Sequence, residues 1–475
     1  MHRRQFIQSA ALATTGGIAS GRQEPASQSP RPNFLFMIAD DLTYRSIHSL
    51  NNKEVHTPNL DRLVRSGVSF THCFHQGSWS PAVCVPSRTM LNSGLSAFRA
   101  QKMFDSVPLW GQTLGNAGYE TYIVGKWHLD PTALERSFKQ MGPIAPGMFE
   151  STPGAYHRPS PGNRWDPSDI SLKGHWLHTG LWLNEKKDDI RHSCSIWASR
   201  AAEYLDKIVP QLRNPFFMYV GFNEPHDPRQ SPHEYIDRYP PDRIEIPPNY
   251  LPEHPFDQGD RYIRDEQLAP FPRTRKAVQL HRSEYYAIIS YLDYQVGMIL
   301  DALERSGKAA NTYIIFAADH GLAVGQHGLM GKQNMYDHSI RMPLLISGPG
   351  IAQAKTIDDL VYQHSLYATT CELAGVPVPR TVEFGSLSGL LKGTRRGGQD
   401  AIFSYYRDFQ RAVRTNEHKL IVYPKAGVTQ LFDLSKDPWE TRNLSSDPRY
   451  LTVRNDLTSR LHRLQTELDD PLKHA

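Results

Sequence analysis

At 475 residues the chain exceeds one ordinary domain, and typical domain size divides it into roughly three units, or two if one is a large α/β domain. Its 39% hydrophobic, 21% charged and 10% aromatic residues describe a globular protein and exclude wholesale disorder, a collagen-like chain and a multi-span membrane protein. A net charge of +4 without a basic block gives no reason to expect nucleic acid as a partner.

Residues 1–30 read MHRRQFIQSAALATTGGIASGRQEPASQSP: an arginine pair, a short weakly apolar stretch and then small residues. This order resembles a twin-arginine export signal more than a plain basic tail. Residues 1–29 are therefore expected to be signal and linker, with the mature fold beginning near Pro30 in the periplasm or outside the cell. No later apolar run reaches the eighteen residues of a membrane span, so no membrane attachment is expected once the signal is removed.

Asn33 to Ala39 is a continuous apolar run, as in a strand buried on both faces, and it stops at Asp40-Asp41. Thr57-Pro58 open a helix as N-cap and first residue, and Gly67 closes it. Strands follow at Val68 to Cys73, Thr121 to Val124, Phe216 to Phe222, Thr312 to Ala318 and Leu344 to Ser347. Helices lie between them at Ser193 to Ile208 and from about Thr274 to Ser306. This alternation predicts an α/β fold with a mostly parallel sheet covered by helices, with ligands outside the carboxyl ends of the strands. Ser151 to Arg191 and Tyr239 to Pro272 lack a sustained period and read as long surface insertions. Beyond Gly375 the pattern changes to short antiparallel strands at Ala401 to Tyr406, Arg411 to Thr415 and His418 to Tyr423, then a helix near Tyr450 to Leu468. The expected boundaries are a catalytic α/β domain over 30–378 and a smaller C-terminal antiparallel-sheet α+β domain over 379–475.

The four cysteines Cys73, Cys84, Cys194 and Cys371 form neither a disulfide framework nor a C-x-x-C pair, so any special cysteine acts singly. Cys84-Val85-Pro86-Ser87-Arg88-Thr89-Met90-Leu91-Asn92-Ser93-Gly94 matches C-x-P-S-R-x-x-L-x-x-G at every fixed position, a chance event at one starting point of about one in ten million at background usage. A thiolate phosphatase loop fits poorly, because its arginine stands six residues after the cysteine, whereas Arg88 stands four after and Pro86 intervenes.

The motif resembles the signature of type I sulfatases of the alkaline phosphatase-like superfamily, in which a formylglycine-generating maturation enzyme oxidises the motif cysteine to Cα-formylglycine. The similarity extends from about Pro32 to Leu444 through TPNLDRL (57–63), GKWHL (125–129), PHDP (225–228), ADHG (318–321), Gly331-Lys332 and LFDLSKDPWE (431–440). It implies an alkaline phosphatase-like α/β domain and a smaller C-terminal sheet domain, in agreement with the pattern above.

Asp40, Asp41 and Asp319 follow two apolar runs, so their carboxylates converge if those strands are neighbours. Two such charges at ~4 Å repel by about 4 kcal/mol at an effective dielectric of 20, which a hard divalent cation relieves. Oxygen-rich ligation suits Ca²⁺, with Mg²⁺ the lesser option. By resemblance the ligands are Asp40, Asp41, residue 84, Asp319 and His320, the last at a position where the family usually carries Asn, Gln or His; an imidazole there departs slightly from pure oxygen ligation.

Once oxidised and hydrated, residue 84 is a gem-diol. One hydroxyl attacks the sulfate sulfur, and deprotonation of the other collapses the covalent sulfate and regenerates the aldehyde, a route closed to ordinary Ser or Cys. By resemblance Arg88 holds the formylglycine hydroxyl, Lys126 and Lys332 bind sulfate oxygens, His128 helps deprotonate the diol, and His226 serves the leaving oxygen. Arg229, His175, His178, Tyr405 and Arg407 are weaker candidates for contact with the rest of the substrate, with surface solvation the more ordinary reading of each. Trp176 and Trp182 are candidates for stacking on sugar rings. The implied activity is hydrolysis of sulfate monoesters, on a sulfated glycan or another sulfate ester. The alternatives are a phosphonate monoester or phosphodiester hydrolase of the same superfamily and a non-catalytic glycan-binding relative.

Overall fold

The seven residues of Asn33–Ala39, all buried, form the centre of a nine-stranded sheet. Such a strand has no solvent face, so it needs sheet neighbours on both edges and cover on both sides. In a computed structural model that describes residues 31–147, 182–186, 189–394 and 397–472, it pairs in parallel with Thr312–Ala318 on one edge and Phe216–Gly221 on the other. The expected export segment, together with His175, Trp176 and His178, lies outside the described residues. Trp182 begins a two-stranded ribbon, Trp182–Lys186 with Asp189–His192.

Beyond Phe216–Gly221 come Glu120–Lys126 and Gln140–Ala145, both parallel. On the other side Arg341–Ser347 runs antiparallel to both Thr312–Ala318 and Val68–Phe74. Lys355–Ile357 and Val361–Tyr362 complete the edge on Val68–Phe74. The sheet is mostly parallel, with Arg341–Ser347 reversed. Helices Ser193–Lys207 and Arg275–Arg305 pack on each other. Trp110, opening the helix Trp110–Asn116, sits against Phe36 and Phe217 with ring centroids 5.0 Å apart in each pair. Aromatic pairs of this kind add about 1 kcal/mol beyond the area they bury.

A second sheet orders Val428–Asp433, His418–Tyr423, Gln410–Arg414 and Ile402–Tyr406 as antiparallel neighbours. Its fifth strand is Gly77–Ser78, from the segment just before Cys84 and parallel to Tyr405-Tyr406. Gly77 has φ +98°, and a Cβ there would fall 1.8 Å from the Tyr405 carbonyl oxygen, so only glycine allows this approach.

Thr57 differs from the expected N-cap. It makes no side-chain cap to Pro58–Ser66; its hydroxyl accepts from His48 N at 2.9 Å and donates to Asp61 at 3.3 Å. Thr274 does cap its helix, accepting from Ala277 N.

Candidate active site

The two central strands end side by side. The register Ala39↔Ala318 puts Asp40 and Asp319 next to each other at the carboxyl edge, and Asp319 N donates to Ala39 O at 3.1 Å. Asp41 turns away from the strand direction with φ 70°, a conformation that Asp tolerates better than most residues. Its N–H lies 3.4 Å from Asp319 Oδ1.

The motif segment forms the helix Cys84–Ser93, with Pro86 in its first turn, where a missing N–H costs nothing. Ser87 Oγ donates to Asp319 O at 2.6 Å, and Arg88 Nε donates to Asp319 Oδ2 at 3.0 Å. Gly94 ends the helix at φ 68°, its N–H donating to Met90 O. The motif's serine, arginine and glycine thus each fix the helix whose N-terminus presents residue 84 to the aspartates. The positive end of the helix favours an anionic group there.

Lys126 ends Glu120–Lys126 and donates to Asp40 Oδ2 and to Gly147 O, the latter at 3.0 Å. Arg88 Nη1 holds Lys126 O at 2.9 Å. His128, at φ 59°, brings Nδ1 to 3.0 Å from Cys84 Sγ. Its ring lies so close to Gly147 that a Cβ there would stand 1.9 Å from Nε2. Lys332 Nζ donates to Asp41 Oδ1 at 2.8 Å and Oδ2 at 3.2 Å. His226 Nε2 is 3.9 Å from Asp41 Oδ2, while its Nδ1 meets Asp227 O at 2.7 Å.

All ten residues expected at the centre come together, in two linked groups. Asp40, Cys84, Asp319 and His320 each present a ligand atom within 4.8 Å of the others; Asp41, His226 and Asp227 form a second such group. Asp41 therefore stands outside the closest cluster, on Lys332. Donor chemistry in the first cluster fits a cation. Asp40 Oδ1 and His320 Nε2 are buried without a hydrogen-bond partner, and His320 Nδ1 is 3.1 Å from Gly321 O. When His320 is neutral with Nδ1–H donated to that carbonyl, its Nε2 lone pair faces the carboxylates, the tautomer a metal ligand needs. The sulfur of Cys84 fills the remaining corner; with an oxygen in its place, the set would be two carboxylates, one oxygen and one imidazole.

The fields are strong because the groups are dry. Burial pushes the Cys84 thiol up, but Lys126, then His320 and Lys332, bring it down to about 7, Asp40 opposing. Burial disfavours the His320 imidazolium, yet Asp319, Cys84 and Asp41 lift it to about 9. His128 is held neutral, at about 3, by burial and by Lys126. Asp40 lies well below the usual carboxylate range: burial works against ionisation, and Lys126, His226, Lys332 and Arg88 overcome it.

Other members of the site escaped sequence reading. Arg264 clamps Asp227, next to His226, and also reaches Asp265. Asp265 Oδ2 lies 3.8 Å from Lys332 Nζ and accepts from Gln333 Nε2 at 2.8 Å. Gln363 donates to Ser87 Oγ and to Asp319 O. Arg264 and Asp265 fall within Tyr239 to Pro272, read from sequence as a surface insertion; Asp265 and Glu266 are in fact buried. The weaker candidates also resolve differently. Tyr405 is in the core, its ring 4.4 Å from Phe98. Arg229 is buried, with Nη1 3.0 Å from His281 Nδ1. Arg407 is partly exposed, pairs with Asp260 at 3.0 Å, and its N–H donates to Ser78 O.

A family model described as Sulfatase matches residues 32–376, and one described as N-sulphoglucosamine sulphohydrolase, C-terminal, matches residues 325–467. Among curated proteins, a sulfatase of Formosa agariphila is 27% identical, covering 88% of this chain and 84% of its own. An N-acetylglucosamine-6-O-sulfatase of Bacteroides thetaiotaomicron is 24% identical, covering 95% and 89%. Among solved structures, a phosphonate monoester hydrolase of Agrobacterium radiobacter superposes with a TM-score of 0.73 at 21% identity, covering 92% of this chain and 96% of its own.

Proposed function

The chain belongs to the sulfatase family, and from that premise we propose that it hydrolyses sulfate monoesters on a carbohydrate, with residue 84 matured to formylglycine and a calcium ion held by Asp40, residue 84, Asp319 and His320, with Asp41 beside them as the further ligand. The observation that carries the reading is the convergence of Asp40, Cys84, Asp319 and His320 within 4.8 Å, flanked by two buried lysines. The sugar is supported by the named activity of the Bacteroides relative.

When present, a hydrated aldehyde beside a divalent cation supplies an acidified oxygen nucleophile for displacement at sulfur. This chain's residues do the rest. Arg88, fixed between Asp319 and the Lys126 carbonyl, orients residue 84 through its helix. Lys126 and Lys332 aim ammonium groups at the place where sulfate oxygens gather charge, in a site dry enough to make each contact count. His128, kept neutral, takes a proton at the residue 84 heteroatom 3.0 Å from Nδ1. His226, with Nδ1 committed to Asp227 O, offers Nε2 to the leaving oxygen. Export to the periplasm or beyond follows from the N-terminal segment and belongs to the same proposal.

The fold shared with the phosphonate monoester hydrolase favours one second reading, hydrolysis of phosphonate or phosphate esters at the same residues. Rates on paired sulfate and phosphonate esters of one alcohol separate the two. The proposal expects kcat/KM to favour the sulfate, and a large preference for the phosphonate overturns it.

A further inference from the structure

A cavity of about 250 Å³ lies where the loop after Asn33–Ala39 meets the start of Arg341–Ser347 and the end of Gln410–Arg414. Arg45, Arg341 and Arg414 line it, and Asp337 is its one acidic lining residue. Asp337 already receives Arg341 Nη1 at 3.2 Å, Arg414 Nε and Nη2 at 3.3 Å each, and Lys419 Nζ. Glu440 takes the Lys419 ammonium at 2.6 Å. Arg341, Arg414 and Lys419 thus share the two carboxylates Asp337 and Glu440, which leaves one positive charge uncompensated. Arg45 adds a second.

Asp337 offsets only part of the arginine charge, and other contacts hold the guanidinium groups without neutralising them. Arg341 lies 3.9 Å from the centre of the Tyr44 ring, and Arg45 lies 4.0 Å from Trp439. Arg45 Nε donates to Tyr44 Oη at 2.6 Å, and Arg341 Nε donates to Thr71 O at 2.6 Å. Ring and carbonyl contacts fix a guanidinium in place and leave its charge available. The field is visible on His72, another lining residue: burial, then Arg341 and Arg414, hold its imidazole neutral, at about 3. Phe70, Leu50 and Leu434 supply an apolar wall.

We propose that this cavity is a second oxyanion site, taking a sulfate group, either as the free ion or carried on a saccharide whose ring lies on the apolar wall. The site rests on the arginine geometry alone; the choice of sulfate among oxyanions rests on the proposed function.

Crystals of the Cys84→Ala protein, grown without sulfate and soaked in selenate, locate each oxyanion directly through selenium anomalous scattering. A parallel soak uses a sulfated methyl glycoside. The expected result is selenate between Arg45, Arg341 and Arg414, lost in Arg341→Gln while density beside Lys126 and Lys332 persists. A sulfated glycoside seated in the cavity identifies the saccharide as the source, and selenate alone identifies the free ion. Arg45→Glu, at the partly exposed rim, serves if Arg341→Gln fails to fold, and is expected to weaken inorganic sulfate binding to this site in solution by about tenfold or more, the loss of one charge-assisted contact. Selenate at the lysines with none in the cavity overturns the proposal, as does cavity occupancy unchanged in both arginine variants. Neither outcome bears on turnover at residue 84, so failure here is distinct from failure of the proposed function.

Discussion

Asp40 Oδ1 and His320 Nε2 face each other at 3.7 Å, both fully buried and neither with a hydrogen-bond partner. Buried polar atoms are almost always paired, and these two stand where Asp319 and residue 84 close the remaining sides. The pair could hold a metal ion together with Asp319 and residue 84.

Chelation is therefore expected to abolish turnover and lower the melting temperature, and added calcium to restore both. Asp40→Asn and Asp319→Asn are expected to cost at least about 100-fold in kcat, the several kcal/mol that a Lewis-acidic ion supplies. Full activity of a protein shown by elemental analysis to be metal-free contradicts this.

Arg88 and Asp319 form a fully buried pair. Removing one partner strands the other, so Arg88→Met is expected to lose about 3–5 kcal/mol of stability in the absence of divalent cation. The loss is expected to shrink when calcium is present to balance Asp319. Denaturant midpoints measured with and without calcium test this, and identical losses in both conditions count against a cation at Asp319.

For His226→Ala, the expected pattern is a loss that grows with the leaving-group pKa across a series of sulfate esters, because only poor leaving groups need a proton. A uniform loss along the series removes His226 from the acid role.

Glu224 supplies a pH test of stability. It is buried, with Oε1 on Ser193 Oγ and Oε2 unpaired, and burial pushes its carboxyl up to about 7. A folded-state pKa above the usual 4.5 means that stability is complete below that value and is lost as pH rises through 7. The loss reaches about 3 kcal/mol by linkage. Glu224→Gln is expected to flatten the profile between pH 5 and 8, and an unchanged slope shows that Glu224 does not carry it.

What could be read from sequence followed from burial. Asn33 to Ala39 and Thr312 to Ala318 are unbroken apolar runs because both faces of those strands are covered, and their ends matched the structure. Val428–Asp433 is not legible as a strand in the sequence: Thr429 and Gln430 interrupt its apolar pattern, and its register is set by pairing with His418–Tyr423. The helix Cys84–Ser93 carries Pro86, which breaks a helix interior but is tolerated in the first turn, so sequence pattern alone does not mark the helix. Residues joined by local motifs are legible in the sequence; those joined only by tertiary contact are not. Arg264 and Asp265 lie in a segment with no period, and their role appears only when the chain returns to place them against Asp227 and Lys332, 37 and 67 residues away in sequence.

The most direct test is peptide mass analysis of residue 84 in active protein from a host with a formylglycine-generating enzyme, with kcat measured on the same preparation. The account predicts an aldehyde or its hydrate at position 84, in proportion to activity across preparations matured to different extents. Full activity with an intact thiol at Cys84 would contradict it.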